Sequence, residues 1–324
     1  MRIVFHGDNA ASFEPGFAAL VRPDADIFVL PDTLSTAADR ACFAAADVVV
    51  GIRYDNAFPK AEHLSLFHVP GAGYDQVDLQ ALPAQTVVCN CFGHEPAIAE
   101  YVMAALLARH VPLADADAHL RRQDWKYWAG ATARVHDEMS GKTIGLVGFG
   151  HIAQAIAARA KAFDLRVHVA NRSAVAASPR VDAWFALDDL QRFWPTADFI
   201  VVSLPLTAQT TGIVGAAAFA AMKRSAVVVN VGRGPTIDEQ ALFDALSSQR
   251  IAGAIIETWY QYPSAAQAAV LPSKLPFHTL ANVVMTPHMS GWTRGTIERR
   301  QRTIADNITR RFAGAACDNV VRGE

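Results

Sequence analysis

Four cysteines in 324 residues (Cys42, Cys89, Cys91 and Cys317) are too few for a disulfide-built fold. Cys89-Asn-Cys91 has no second Cys/His pair at zinc-site spacing, so buried free thiols and a reduced, cytoplasmic compartment are expected, and no metal. Charge of one sign is missing too. The 29 Lys+Arg and 31 Asp+Glu leave a net charge of −2, and there is no polybasic run, which argues against a nucleic-acid partner. No apolar stretch approaches the ~20 residues that span a bilayer, and Met-Arg-Ile-Val-Phe-His-Gly reads as an immediate strand rather than a leader. A membrane partner is therefore not expected either. What remains is a chain 52% hydrophobic and 19% charged, rich enough to bury a large core. At roughly 100–200 residues per domain, its length suggests two domains.

Short apolar runs alternate with helix-compatible segments, which predicts an α/β fold, most simply with parallel sheets. In the first part, strands are expected over 3–6, 27–30, 48–51, 66–69 and 87–90, and helices over 13–21, 37–46 and 79–82. A long helical pattern follows from Pro96 to about Arg122, which Pro112 should kink or divide. Trp125, Lys126, Tyr127 and Trp128 open a looped connection to Gly141. The second part predicts strands over 144–147, 167–170, 199–203, 226–231, 253–256 and 283–285, with helices over 152–163, 216–222 and 239–247. A last helix is expected over 296–312.

The most specific local pattern is Thr143-Ile-Gly-Leu-Val-Gly-Phe-Gly-His-Ile-Ala-Gln154, an apolar strand running through glycines into a helix. Gly148, Gly150 and Ala153 fit G-x-G-x-x-G/A, the phosphate turn of a dinucleotide-binding βαβ unit. Gly148 permits the tight turn and Gly150 lets backbone N–H groups approach a pyrophosphate. Ala153 lets the helix pack on the strand, with His151 and Ile152 opening its first turn. A nucleotide turn in mid-chain implies another domain before it.

Further segments carry a resemblance. Val202-Ser-Leu-Pro-Leu-Thr-Ala-Gln-Thr-Thr211, Val229-Asn-Val-Gly-Arg-Gly-Pro235, Gly253-Ala-Ile-Ile-Glu257 and Thr286-Pro-His-Met-Ser-Gly291 follow in order, after Gly71-Ala-Gly-Tyr-Asp75 and Asn90…Ala99-Glu100. As a set they resemble the D-isomer-specific 2-hydroxyacid dehydrogenases over essentially the whole chain, the glyoxylate/hydroxypyruvate reductases among them. The resemblance implies two Rossmann-like, doubly wound parallel-sheet domains with a cleft between them. A flavodoxin-like substrate domain would comprise residues 1–98 plus 290–324, and an inserted dinucleotide-binding domain residues 99–289. It also implies hydride transfer between NAD(P)H and a small 2-keto or 2-hydroxy acid, mainly as a reductase.

Residue by residue, Arg233 matches the arginine that grips the substrate carboxylate, and His288 the histidine that exchanges a proton with the substrate oxygen. Backbone N–H groups at Ala72 and Gly73 would hold the other end of the carboxylate. Pro205, Val231, Gly232, Arg233, Glu257, His288 and Gly291 would line the cofactor with the glycine turn. The alternative is a nucleotide-sensing interaction module of the same fold with little catalysis. Trp125 and Trp128 lie where family members exchange contacts between subunits, so a homodimer is implied.

The chain departs from the family at one acid. The usual glutamate before a proline is replaced in Glu257-Thr-Trp-Tyr-Gln-Tyr262-Pro263: Tyr262 stands in its place, and Glu257 replaces an aspartate that lies near the nicotinamide. Three readings stay open. Tyr262 or Glu257 partners His288, or the reaction differs (formate dehydrogenases use an amide here, which draws notice to Gln261), or the protein binds nucleotide and catalyses poorly. The cofactor is read from the second strand's end. Ala170-Asn171-Arg172-Ser173 has no carboxylate for the ribose hydroxyls and offers a guanidinium and a hydroxyl for a 2′-phosphate. NADP is favoured, with NAD as the alternative if Arg172 stacks on adenine. Tyr54, Phe58, Tyr74, Tyr260 and Trp292 either line the substrate side or are core and interface aromatics, and Arg53 either binds a second anionic group or plays a surface role, the surface role being favoured.

Overall fold

The computed structural model describes residues 1–130, 134–264 and 267–323. The chain divides into two compact units, Met1–His94 with Trp292–Glu324, and Glu95–Gly291.

The first unit is built on β1 (Arg2–His6), β2 (Asp26–Leu30), β3 (Val48–Gly51), β4 (Leu66–His68) and β5 (Val87–Cys89), all parallel. A short strand, Val320–Arg322, joins β5 antiparallel, so the sheet order is Val320–Arg322, β5, β4, β3, β1, β2. That antiparallel edge is a departure from the all-parallel expectation. The inner strands are continuous apolar runs because both faces are covered. Ile3, Phe5, Val48, Val50 and Leu66 meet Ile304 and Ile308 of the helix Arg294–Phe312. Val4, Val49, Phe67 and Val88 meet Phe43 of the helix Ala37–Ala44, which a Thr36/Asp39 capping box starts. In place of the helix expected over 13–21 there is only a 3-10 turn at Phe17–Leu20, after a short helix at Asp8–Ala11. Pro15 lies between them, and Gly16 has φ 82°, which breaks a continuous helix. Residues 79–82 form turns, with the Asp78 carboxylate accepting from the Gln80 N–H, rather than the expected helix.

The second unit has seven parallel strands: β6 (Thr143–Val147), β7 (Arg166–Asn171), β8 (Ala183–Ala186), β9 (Phe199–Val202), β10 (Val227–Asn230), β11 (Gly253–Ile256) and β12 (Val283–Met285). Their order is β12-β11-β10-β9-β6-β7-β8. The order reverses beside β6, and this is the switch point at which open α/β sheets bind ligands. The edge strand β8 was not anticipated, because Ala-Trp-Phe-Ala is half exposed and lacks a buried run. As Pro112 suggests, the long helical pattern is two helices, Glu95–His110 and Leu113–Leu120, bent by 49°. No single helix among the described residues is long and apolar enough to cross a membrane. The helix Glu95–His110 shares a core with His151–Ala162 through Ile98, Val102, Leu106, Ile156 and Ala160. Of the connection to Gly141, residues 131–133 lie outside the described residues. All four cysteines are free: Cys89 and Cys91 are buried, Cys42 and Cys317 half-buried.

Candidate active site and dinucleotide turn

The two glycines after β6 are glycine for different reasons. Gly148 has φ 89°, and a Cβ there would lie 2.9 Å from Leu204 Cδ2. Gly150, the N-cap of the helix His151–Ala162, has an ordinary φ of −76°, and a Cβ would meet nothing within 4 Å. Nothing inside the fold demands glycine at 150. The open space lies at a helix N-terminus, where first-turn N–H groups and the helix dipole favour an anion. A dinucleotide pyrophosphate fits that cradle, and Ala153, fully buried, brings the helix onto the sheet.

Asn171 ends β7 and ties the turn to it. Its Oδ1 accepts from the Phe149 N–H (3.3 Å) and its Nδ2 donates to the Ser173 carbonyl (3.0 Å). Arg172 and Ser173 are exposed beside it. Across the sheet, the loops after β9 and β10 pack backbone to backbone: a Cβ on Gly232 would lie 2.7 Å from the Leu204 carbonyl oxygen. Leu204 leads into Pro205, whose carbonyl accepts from Thr210 Oγ1 (2.6 Å).

That packing presents Arg233. Asn230 closes the loop, with Oδ1 accepting from the Gly232 N–H (3.1 Å) and Nδ2 donating to the Arg233 carbonyl (3.1 Å). Thr236 Oγ1 donates to the same carbonyl (2.6 Å). Val231 is buried beneath it. With the Thr236 N–H (3.1 Å), three hydrogen bonds thus hold the Arg233 carbonyl.

His288 lies on the segment after β12, with φ 60°. Tyr262 Oη stands 3.0 Å from His288 Nδ1 and accepts from the Trp259 N–H at 3.1 Å. Trp259 is buried against Phe277, and its Nε1 donates to the Thr286 carbonyl (2.8 Å). Glu257 takes another place than the ring of His288. It is fully buried (0% exposed), Oε2 accepts from Thr286 Oγ1 (3.0 Å), and Oε1 accepts from the Ser290 N–H. Gly291 follows Ser290 and ends the unit.

Loss of surrounding water lowers the His288 pKa from 6.5; the Glu257 carboxylate pulls it back up and the Arg233 guanidinium lowers it further. Loss of water also holds the Tyr262 phenol above 10.0. A carboxylate in the place of Tyr262 would favour the imidazolium; a phenol does so far less.

In the first unit, the Ala72 carbonyl accepts from Asn90 Nδ2 (2.7 Å), the Pro70 carbonyl accepts from Arg300 Nη1 (3.0 Å), and Gly73 is exposed. Of the aromatics named as candidates, Tyr54 and Tyr260 take the packing alternative, and Trp292 is 43% exposed. Tyr54 is buried and stacks on Phe58, Tyr260 is held by its hydroxyl on the Ile237 carbonyl (3.1 Å), and Trp292 sits edge-on to Phe13. Burial raises the Tyr260 phenol strongly. Tyr74 is exposed, Phe58 is half-buried beside His6, and Arg53 pairs with Asp55 (3.0 Å). Tyr101, Trp259, Thr286 and Ser290 were not singled out from sequence, although Thr286 and Ser290 lie in the Thr286–Gly291 motif and Trp259 in the Glu257–Pro263 segment.

A seven-stranded sheet with a glycine turn at its switch point, and an arginine and a histidine on neighbouring loops, defines the class: a nicotinamide-dinucleotide-dependent oxidoreductase. The family model "D-isomer specific 2-hydroxyacid dehydrogenase, NAD binding domain" matches residues 102–290. Glyoxylate/hydroxypyruvate reductase B of Salmonella newport is 34% identical over 256 residues, covering 77% of this chain and 75% of that protein. D-3-phosphoglycerate dehydrogenase of Methanocaldococcus jannaschii is 32% identical over 271 residues, covering 81% of this chain and 48% of that protein, so this chain spans about half its length. Among solved structures, a D-isomer specific 2-hydroxyacid dehydrogenase family protein from Aeromonas salmonicida superposes with a TM-score of 0.80 at 26% identity, covering 99% of this chain and 98% of that one. The chain belongs to the D-isomer specific 2-hydroxyacid dehydrogenase family.

Proposed function

We propose that the protein reduces a small 2-keto acid of the glyoxylate or hydroxypyruvate kind with NADPH, and does so with a phenol where its family uses a carboxylate. The observation that carries this reading is the 3.0 Å contact between Tyr262 Oη and His288 Nδ1, in a site that also holds Arg233. The curated relative named glyoxylate/hydroxypyruvate reductase B supports the substrate class.

The cofactor supplies the hydride to the carbonyl carbon. Arg233 binds the substrate carboxylate through its planar fork. His288 gives its proton to the carbonyl oxygen in reduction and removes it in oxidation. The Trp259 N–H occupies one lone pair of Tyr262 Oη, which leaves the other to accept from Nδ1–H of the His288 imidazolium. Nε2–H gives its proton to the substrate oxygen, leaving a neutral ring that keeps its Nδ1 proton and can take the other back in oxidation.

Gly148, Gly150, His151, Ile152 and Ala153 would hold the pyrophosphate. Asn171, Arg172 and Ser173 would take the adenosine ribose and its 2′-phosphate, with Pro205 on the same half. The absence of a carboxylate at that strand end supports NADPH over NADH. The exposed Trp125 and Trp128 support a homodimer, and a reduced cytoplasmic setting agrees with four free cysteines.

Oxidation of NADPH and of NADH against glyoxylate, hydroxypyruvate, pyruvate and phenylpyruvate tests the reading. Turnover of glyoxylate or hydroxypyruvate with a preference for NADPH is expected. No oxidation of either cofactor with any of the four overturns it.

A further inference from the structure

We propose that Glu257, Thr286 and Tyr101 are positioning residues, a buried hydrogen-bond chain that fixes both ends of the Pro287-His288-Met289 arch and so holds His288 in its left-handed conformation. The inference rests on the reading of His288 as the proton donor.

A non-glycine residue at φ 60° is costly, and such backbones persist where their surroundings over-determine them. Here the constraints can be followed atom by atom. On the N-terminal side of the arch, the Thr286 N–H donates to the Ile256 carbonyl (3.0 Å), which extends the β11–β12 ladder by one residue. The Thr286 carbonyl accepts from Trp259 Nε1 and its hydroxyl donates to Glu257 Oε2. On the C-terminal side, the Ser290 N–H donates to the other oxygen of the same carboxylate. One carboxylate therefore bridges residues 286 and 290, with the three arch residues between.

The third member comes from the helix Glu95–His110. Tyr101 Oη lies 2.7 Å from Thr286 Oγ1. The single proton of Thr286 is committed to the carboxylate, so Tyr101 is the donor in that pair. The order is Tyr101 to Thr286 to Glu257, with Ser290 closing the ring. Glu257 has no exposed surface and Ser290 is buried, so an unmet group here would carry its full desolvation cost. The backbone of the arch is thus set by Glu257, and the imidazole ring by Tyr262. Trp259 joins the two, through its N–H to Tyr262 and its indole to Thr286.

The test uses the full-length protein. The imidazole of His288 is followed by nitrogen NMR in histidine-labelled protein, free of cofactor, beside steady-state kinetics and cofactor affinity by fluorescence. The charged and polar groups facing His288 are Glu257, Arg233 and Tyr262. Thr286→Val keeps the shape and removes the hydroxyl. It is expected to lower kcat about tenfold, with cofactor Kd within about twofold of the parent. Thr286→Ser restores the hydroxyl and is expected to stay within about threefold of the parent. Glu257→Gln is expected to move the His288 titration to lower pH, and Tyr101→Phe to lower kcat severalfold with little change in KM.

Parental kcat and an unchanged His288 spectrum in both Thr286→Val and Tyr101→Phe would overturn the proposal. If Glu257→Gln does not fold, the Thr286 pair and Tyr101→Phe decide alone. If the parent turns over no keto acid while the His288 signals still respond to Thr286→Val, the proposed function fails and the positioning chain stands.

Discussion

The hydroxyl of Tyr262 and Nδ1 of His288 are 3.0 Å apart, and Tyr262 itself accepts from the Trp259 N–H. The pair replaces the carboxylate–imidazole pair implied by the family resemblance, and its consequence is pH dependence. His288 is held below 6.5, so the imidazolium that serves reduction is present at acid pH and is lost as pH rises through the lowered value. Oxidation, which needs the neutral ring, runs the other way. Tyr262→Glu puts a negative charge beside Nδ1 and should move the loss of reductase activity to higher pH, read from kcat/KM against pH. Tyr262→Phe removes the ring's partner and should cost about tenfold in kcat.

His288→Ala and Arg233→Ala should each remove at least about a hundredfold of kcat/KM. They differ in signature. His288→Ala lowers kcat with substrate KM nearly unchanged, whereas Arg233→Ala raises KM as well, because the guanidinium binds the ground-state carboxylate. Full turnover in His288→Ala would sink the mechanism.

Gly150→Ala and Gly232→Ala separate a ligand cradle from a packing constraint. A methyl on Gly150 enters open space at an ordinary φ, so stability should be preserved while cofactor Kd rises about tenfold or more. A methyl on Gly232 would lie 2.7 Å from the Leu204 carbonyl oxygen, so thermal unfolding should shift down by several degrees. Thermal melts and cofactor titrations on the two variants check both.

The cofactor preference should sit at the end of β7. Arg172→Ala is expected to raise the KM for NADPH about tenfold and leave NADH nearly unaffected. Asn171→Asp introduces the acceptor for ribose hydroxyls and repels a 2′-phosphate, so it should reverse the preference. Asn171 also ties β7 to the glycine turn through the Phe149 N–H, which a carboxylate can still accept, so the fold should tolerate the change. Equal use of both cofactors by the parent and both variants would remove this assignment.

Much of this was legible in the sequence because it depends on local chemistry. Pro112 divided a helix where a missing N–H must, and the inner strands announced themselves as apolar runs. The segments that misled were those whose pattern was local but whose outcome was not. Residues 13–21 carry helix formers, and Pro15 with Gly16 at positive φ leaves only a 3-10 turn at Phe17–Leu20. Between lining a site and packing, Tyr54 and Tyr260 turned out to pack, since an aromatic's burial depends on neighbours far along the chain.

The sequence by itself determined the class of this protein. The glycine turn and the residues at the end of the next strand follow from residue type and spacing, and Arg233 and His288 from the family resemblance that their motifs carry. The tertiary structure decided what Tyr262 and Glu257 do. Both lay close to the expected acid positions, and sequence left either one free to partner His288. Only the parallel pairing of β11 with β12 brings residues 257 and 286 side by side and sets Glu257 beneath the arch, leaving the imidazole to Tyr262. A hydrogen bond needs two atoms within about 3 Å, and no spacing along the chain fixes a distance between strands some thirty residues apart.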